Sequence, residues 1–274
     1  MDMITRNERA LLFLLSQTKS LTRIQLVRLM FLTSKVRSIY TFVPYQYGPF
    51  SFELYKDIRH LEREGYLTQT EDDVHFVERL FPKPDPNVQS GIISVINQFM
   101  GFPEMALIEY VYEKYPEMTI FSKIKQLKAY DRNESGIVTI GYEGRNIDKY
   151  LCILLENKVG KIIDVRKNAF SMKYGYSKNQ LMSALEKIGI SYLHLPDLGI
   201  ASDKRQNLNK KGYADLFRCY ANELNEKEDL LETIKLLAKR EKVALMCFEA
   251  KATDCHRGII AERFRQDGLD VVDL

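Results

Sequence analysis

The residues in this chain best equipped for chemistry lie between Lys242 and Gly258, in KVALMCFEAKATDCHRG. Val243 to Phe248 is a short apolar run that reads as a buried strand, and residues 256 to 267 continue with helical periodicity. The strand ends in Cys247 and Glu249, and the helix opens on Asp254, Cys255, His256 and Arg257. Two thiols, two carboxylates, an imidazole and a guanidinium are thus drawn to one crossover. A helix N-terminus favours anions and lowers a thiol pKa, and Arg257 adds to that, so Cys255 and His256 read as a nucleophilic or anion-binding corner. Cys247 is either a packed core thiol or a partner in that corner. Glu249 and Glu143 are the candidate general acid or base, and Arg166 and Arg257 the candidate clamps on a phosphate or carboxylate. Asp164 either takes part or holds Arg166 in a structural ion pair. Cys247, Cys255 and His256 are all conceivable metal ligands, but structural zinc favours four ligands with tight CxxC pairs, and the chain has none. No metal or cofactor is therefore expected.

The elements around this stretch alternate. From residue 136 onward, apolar strands at 137–140, 161–165, 192–195, 243–248 and 269–272 are separated by helical segments at 146–157, 177–188, 212–225, 227–239 and 256–267. That order predicts a Rossmann-like, mostly parallel sheet with helices on both faces. Ligands of such sheets sit beyond the carboxyl ends of the strands. Here those ends carry Tyr142, Glu143, Gly144 and Arg145, then Asp164 and Arg166, then Pro196 to Gly199, then Cys247 and Glu249. One pocket at one sheet edge is the expectation. Lys173 to Lys178, KYGYSK, reads either as a lid that stacks on bases and tracks phosphates or as a Gly-hinged loop in which Ser177 caps the next helix. A second basic, Asn-rich stretch, Asp203 to Lys211, reads as a mobile, ligand-covering loop.

The motifs TIGYEG (139–144), DVR (164–166), KYGYSK (173–178), HLPDLG (194–199), CFE (247–249) and CHR (255–257) together resemble the domain of unknown function 488. The likeness covers about residues 137 to 274. It implies a Rossmann-like α/β domain without a settled activity, and it carries over Tyr142, Glu143, Gly144, Asp164, Arg166, Lys173, Gly175, Ser177, Pro196, Leu198, Gly199, Cys247, Glu249, Cys255, His256 and Arg257. A more distant likeness, through Asp164-Val165-Arg166 and a Cys at a strand end, is to rhodanese-type sulfurtransferases. Their thiolate sits in a loop of backbone N–H groups, whereas here Phe248 comes directly after Cys247 and seven residues separate it from Cys255.

The first 80 residues obey another grammar. Helices are expected at 5–17 and from Thr22 to about Lys35, then Gly48-Pro49, a helix with Leu54, Ile58 and Leu61 as its buried stripe, and a hairpin at 66–77 turning on Glu71-Asp72-Asp73. This order resembles a winged helix-turn-helix, and its Tyr-Gly-Pro-Phe element resembles the Panacea or SocA-like antitoxin domains, which implies a place in defence systems. Tyr55, Lys56, Arg59, His60 and Arg63 fall off the buried stripe and are the candidate DNA contacts. The acidic turn opposes a phosphate backbone, so the alternative is a domain for protein contacts. The fold expectation is therefore an α-rich winged helix-turn-helix domain over 1–80, a Pro-rich linker and helical extension over 81–134 starting at Pro82, Pro84 and Pro86, and the α/β domain over 135–274. The helices at 88–100 and 105–115 either complete the first domain or form a homodimer surface.

Composition restrains these readings without choosing among them. With 40 Lys and Arg against 37 Asp and Glu the net charge is +3, which neither requires nor excludes nucleic acid. The 45% hydrophobic and 28% charged content suits a globular chain with a sizeable core. Four cysteines without a CxxC pair, no signal-peptide pattern and no long apolar run point to a reducing cytoplasm and no membrane. The expected function is a DNA-associated protein with an α/β pocket for a nucleotide or other phosphate-bearing molecule, acting as an enzyme on a nucleotide or modified base or as a sensor. The alternatives are a ligand-sensing transcription regulator without turnover, and rhodanese-like thiol chemistry.

Overall fold

The computed structural model describes residues 4–201, 204 and 210–274. The chain divides into two compact units, residues 1–129 and 130–274.

The first unit begins with α1 (Arg6–Thr18), β1 (Ser20–Thr22) and α2 (Arg23–Val36). Both helices start in a capping box, Thr5 with Glu8 and Thr22 with Gln25, which satisfies backbone donors that the first turn leaves open. A two-stranded ribbon, β2 (Val43–Tyr45) and β3 (Gly48–Phe50), leads to α3 (Phe52–Arg63), capped by Ser51. Then β4 (Leu67–Gln69) and β5 (Asp73–Phe76) form the expected hairpin. The sequence pattern did not reveal that β1 joins it: three residues are too few for a period-2 signal, yet β1 pairs antiparallel with β5 to give a sheet of order β1-β5-β4.

Pro86 occupies the first turn of α4 (Pro86–Phe99) behind the Asp85 cap, the position where a missing N–H costs nothing. Val88, Ile92, Val95 and Phe99 of α4 and Leu107, Ile108 and Val111 of α5 (Glu104–Lys114) enter the same core as Leu11, Leu15, Leu26 and Met30. The two helices therefore complete this unit. Among the described residues no single helix is long and apolar enough to cross a membrane.

The second unit contains β6 (Gly136–Gly141), α6 (Ile147–Glu156), β7 (Lys161–Asp164), α7 (Lys178–Glu186), β8 (Ser191–His194), α8 (Lys210–Glu223), α9 (Glu228–Ala238), β9 (Lys242–Cys247), α10 (His256–Gln266) and β10 (Val271–Asp273). The five strands form one wholly parallel sheet of order β10-β6-β9-β7-β8, as expected from the strand-helix alternation. Apolar runs such as Val243 to Met246 belong to strands covered on both faces. Strand register sets which side chains can meet at the sheet edge. Asp164 lies opposite Met246 and Gly141 opposite Cys247, so Asp164 and Cys247 project from opposite faces of the sheet.

Candidate functional site

The carboxyl edge of the parallel sheet carries two polar constellations, one on each face. On the face covered by α10, Cys247 ends β9, Cys255 is the residue before α10, and His256 is its first residue. The sulfurs of Cys247 and Cys255 each lie 3.8 Å from Nδ1 of His256, and the three side-chain donor atoms all lie within 4.8 Å of one another. The other ring nitrogen, Nε2, is 2.9 Å from the carbonyl oxygen of Val165. A carbonyl only accepts, so Nε2 carries a proton and Nδ1 is the ring nitrogen that faces the sulfurs. The Tyr220 ring meets the imidazole edge-on at 5.7 Å and its hydroxyl donates to Leu198 O at 2.6 Å. Cys247, Cys255 and His256 are each only 2% exposed, and both thiols are packed with Ile163, Val165, Leu245 and Phe264.

The loop between β9 and α10 is held from several sides. Arg257 donates from its two terminal nitrogens to Glu249 O at 2.6 Å and Ala250 O at 2.9 Å. The Glu143 carboxylate accepts the Ala250 N–H at 2.9 Å. Two glycines permit the close approach of this loop: a Cβ on Gly141 would stand 1.8 Å from Glu249 O, and one on Gly258 would stand 2.1 Å from Ala252 O. Glu249 is half-buried, its carboxylate oxygen 3.4 Å from the Cys247 sulfur.

The two thiols are driven apart. A hydrogen bond to Cys255, and then burial, push the Cys247 thiol well above its ordinary pKa. Burial also pushes Cys255 up, but hydrogen bonds with Cys247 and His256 and the charges of His256 and Arg257 outweigh it and hold that thiol below its ordinary value. Burial and the neighbouring Cys255 raise Glu249. Cys255 is thus the more readily ionised of the two thiols.

On the opposite face Asp164 and Arg166 form a buried ion pair with Arg166 Nη2 2.6 Å from Asp164 Oδ2. Arg166 also donates to the Tyr142 hydroxyl at 3.0 Å, and the Tyr192 hydroxyl donates to Asp164 at 2.6 Å. The Tyr142 ring stacks on Tyr176 at 4.3 Å, and Lys173 reaches the Tyr142 carbonyl at 2.9 Å. Burial works against the Arg166 charge, but Asp164 more than offsets it, so the guanidinium is held more firmly protonated than usual.

Two expectations are corrected by this arrangement. The thiols and imidazole do not share one hollow with Arg166, because the alternation of side chains along β7 and β9 sends them to different faces. Ser177 does stand at the N-cap of α7, but its hydroxyl makes no capping bond: it donates to Ser171 O at 2.9 Å and accepts from Ser171 N. Gly144 takes a positive φ of 71° in the turn after β6. The Asp203 to Lys211 stretch lies largely outside the described residues. Sequence reasoning missed Tyr192, Tyr220 and the Val165 carbonyl. Tyr192 shares a face with His194 two residues on, a signal that period-2 reading offers, whereas the Val165 carbonyl carries no side-chain signal at all.

Residues 146–264 match the model of the family described as domain of unknown function DUF488. The similarity falls on the stretch from α6 to α10, so the Cys247, Cys255 and His256 cluster and the Asp164–Arg166 pair both lie within the DUF488 region. No curated protein and no solved structure matches the chain.

In the first unit, the α3 residues fall into two groups. Tyr55 stacks on Phe50 at 4.7 Å, Lys56 pairs with Glu53 at 3.2 Å, and His60 contacts the buried Glu8. Arg59 and Arg63 form the second group, on the side of α3 away from its buried stripe of Leu54, Ile58 and Leu61. The Glu71-Asp72-Asp73 turn is tied to α2 by Arg23, which donates to Glu71 O and Thr70 O at 2.9 Å each.

Proposed function

We propose that this chain is a regulator that contacts duplex DNA through its first unit and responds to the chemical state of the Cys247, Cys255 and His256 centre in its DUF488 region, without turning over a substrate. The observation that carries this reading is the combination of three converging soft donors with near-complete burial. A catalytic nucleophile has to be reached by its substrate, whereas a buried centre changes state through protonation, oxidation or a small ion. Both guanidiniums that would clamp a phosphate already have protein partners, Asp164 for Arg166 and the Glu249 and Ala250 carbonyls for Arg257.

The DNA half of the proposal is supported by the order helix, strand, helix, two-stranded ribbon, helix, hairpin and by the β1-β5-β4 antiparallel sheet, which resemble a winged helix-turn-helix. Arg59 and Arg63 lie off the buried stripe of α3, where they suit phosphate contacts. The test is fluorescence anisotropy of duplex DNA with the full chain across a salt series. Arg59→Ala and Arg63→Ala are expected to weaken binding across sequences and each to reduce the salt slope by about 1. Binding that shows no salt slope and no response to either substitution overturns the DNA reading.

A second reading, an enzyme with Cys255 as nucleophile, is favoured by one observation: the pairing of the more readily ionised thiol, Cys255, with His256. Glu249→Gln separates the two readings, since an enzyme loses turnover on that substitution while keeping its ligand, and a regulator has no turnover to lose.

A further inference from the structure

We infer that Cys247, Cys255 and His256 bind a soft divalent cation, Zn²⁺ by their donor set, with Glu249 beside them to close a fourth position. This inference names the state that the proposed regulator reads and rests on that reading for its biological meaning. The site itself stands on geometry.

The sulfur-to-nitrogen spacing is close to that of a coordination shell, and all three donor atoms lie within 4.8 Å of one another. Zinc bonds of about 2.3 Å to sulfur and about 2.0–2.1 Å to nitrogen, arranged tetrahedrally, place neighbouring ligand atoms about 3.5–3.8 Å apart. Both sulfur-to-Nδ1 separations are 3.8 Å. Nδ1 of His256 faces both sulfurs at the same distance. A cation accepts all three lone pairs at once.

The histidine is prepared for this role. Its Nε2–H is committed to the Val165 carbonyl at 2.9 Å, which fixes both the tautomer and the ring orientation, as outer-shell partners do in metal sites. Two thiolates with an imidazole select zinc and its soft neighbours over magnesium or calcium. Two buried sulfurs also need a positive counter-charge close by if both are to ionise, and a divalent ion supplies it.

The fourth position belongs to the loop after β9. The Glu249 carboxylate lies 3.4 Å from the Cys247 sulfur. Arg257 and Glu143 fix the backbone on either side of it through the Glu249 and Ala250 carbonyls and the Ala250 N–H. Those two residues act as positioning residues here. The chain spacing, Cys247, then seven residues, then Cys255-His256, lacks a CxxC pair, so the proximity comes from the sheet edge and the helix start.

The test uses the reduced full chain with Co²⁺ as a spectroscopic probe and Zn²⁺ as competitor. One equivalent of Co²⁺ is expected to give thiolate charge-transfer absorption with tetrahedral ligand-field bands, displaced by Zn²⁺. Cys247→Ser and Cys255→Ser should each remove about half of the charge-transfer intensity and weaken binding by more than about tenfold. Cys219→Ser, at an exposed thiol outside the cluster, should leave the spectrum unchanged. Should a cluster variant fail to fold, X-ray absorption on the Zn²⁺-loaded wild-type chain supplies the answer, with two sulfurs at about 2.3 Å and nitrogen or oxygen completing the shell. A folded, reduced chain that takes up neither ion, or an absorption spectrum without sulfur in the shell, overturns the site. Metal uptake that leaves DNA affinity unchanged keeps the site and removes the regulatory reading. DNA affinity that responds to the thiols without any metal uptake does the reverse.

Discussion

Nε2 of His256 donates to the carbonyl oxygen of Val165 across 2.9 Å, and this one bond between α10 and the end of β7 decides which nitrogen faces Cys247 and Cys255. A histidine free to rotate would present either nitrogen, or neither. Tied to a backbone acceptor in the sheet, it presents the same nitrogen to both sulfurs. The thiol centre is therefore oriented by the sheet itself, and Tyr220 packs edge-on against the ring.

Burial orders the reactivity of the four cysteines. Cys219 is exposed, Cys152 is half-buried, and Cys247 and Cys255 are buried. In the native chain iodoacetamide should modify Cys219 first and Cys152 next, with Cys247 and Cys255 reacting only on unfolding. Peptide mapping over time reads the order. Rapid native-state labelling of Cys255 would show that the centre opens to solvent and would favour the enzyme reading.

The loop from residue 248 to 254 depends on the missing side chain of Gly141. Since a Cβ there would lie 1.8 Å from Glu249 O, Gly141→Ala must displace that backbone. The expected result is a chain that still folds its first unit but loses the alignment of Cys247 with His256, so that both buried thiols become reactive with a thiol reagent. Unchanged protection of both thiols in a folded Gly141→Ala chain would contradict the close packing of this loop on β6.

The Asp164–Arg166 pair tests whether the two faces are independent. Removing one partner of a buried, hydrogen-bonded pair costs about 3–5 kcal/mol, because the other charge stays buried. Asp164→Ala should therefore lower the stability of the second unit by that amount in urea, visible as a lower transition midpoint. While the chain remains folded, Cys247 and Cys255 should keep their protection, since they lie across the sheet from the lesion. Loss of that protection in the folded variant would mean that the faces are coupled.

Asp57 gives the first unit a pH signature. Burial raises its carboxyl from 3.8 to about 6, opposed in part by the hydrogen bond from Tyr40 at 2.8 Å. In the interval between those values the folded chain holds more protons than the unfolded one, so stability from this group is complete below pH 3.8 and is lost as pH rises through about 6. The loss is on the order of 3 kcal/mol. Asp57→Asn keeps an acceptor for Tyr40 and cannot ionise, so in urea unfolding the variant should gain on the wild type as pH rises from about 4 to about 8, the interval that brackets the titration. An equal difference at both ends of that interval would show that Asp57 titrates normally.

Much of this architecture is written in local pattern. Strands such as Val243 to Met246 are continuous apolar runs, and helices such as α4 carry a clear buried stripe, so their periods are visible without neighbours. The three-residue strands β1, β2 and β3 are too short to carry a period, and they form only because partners exist: β5 for β1, and each other for β2 and β3. The site was legible as a set of residue types at strand ends and a helix start. Its division between two faces was not, because it depends on the register that places Asp164 beside Met246 and not beside Cys247. Cys247, Cys255 and His256 were legible as conceivable metal ligands, but their close approach was not, because it comes from the fold and not from CxxC spacing.

The central claim, that the buried thiol centre governs contact with DNA, is tested most directly by the DNA affinity of the reduced full chain and of a folded Cys255→Ser variant. Both are measured by anisotropy at one salt concentration. Coupling between a sensing site and a binding surface is typically worth about fivefold or more in affinity, and a change of at least that size is predicted. Identical affinities, with both chains folded and both binding, would contradict it.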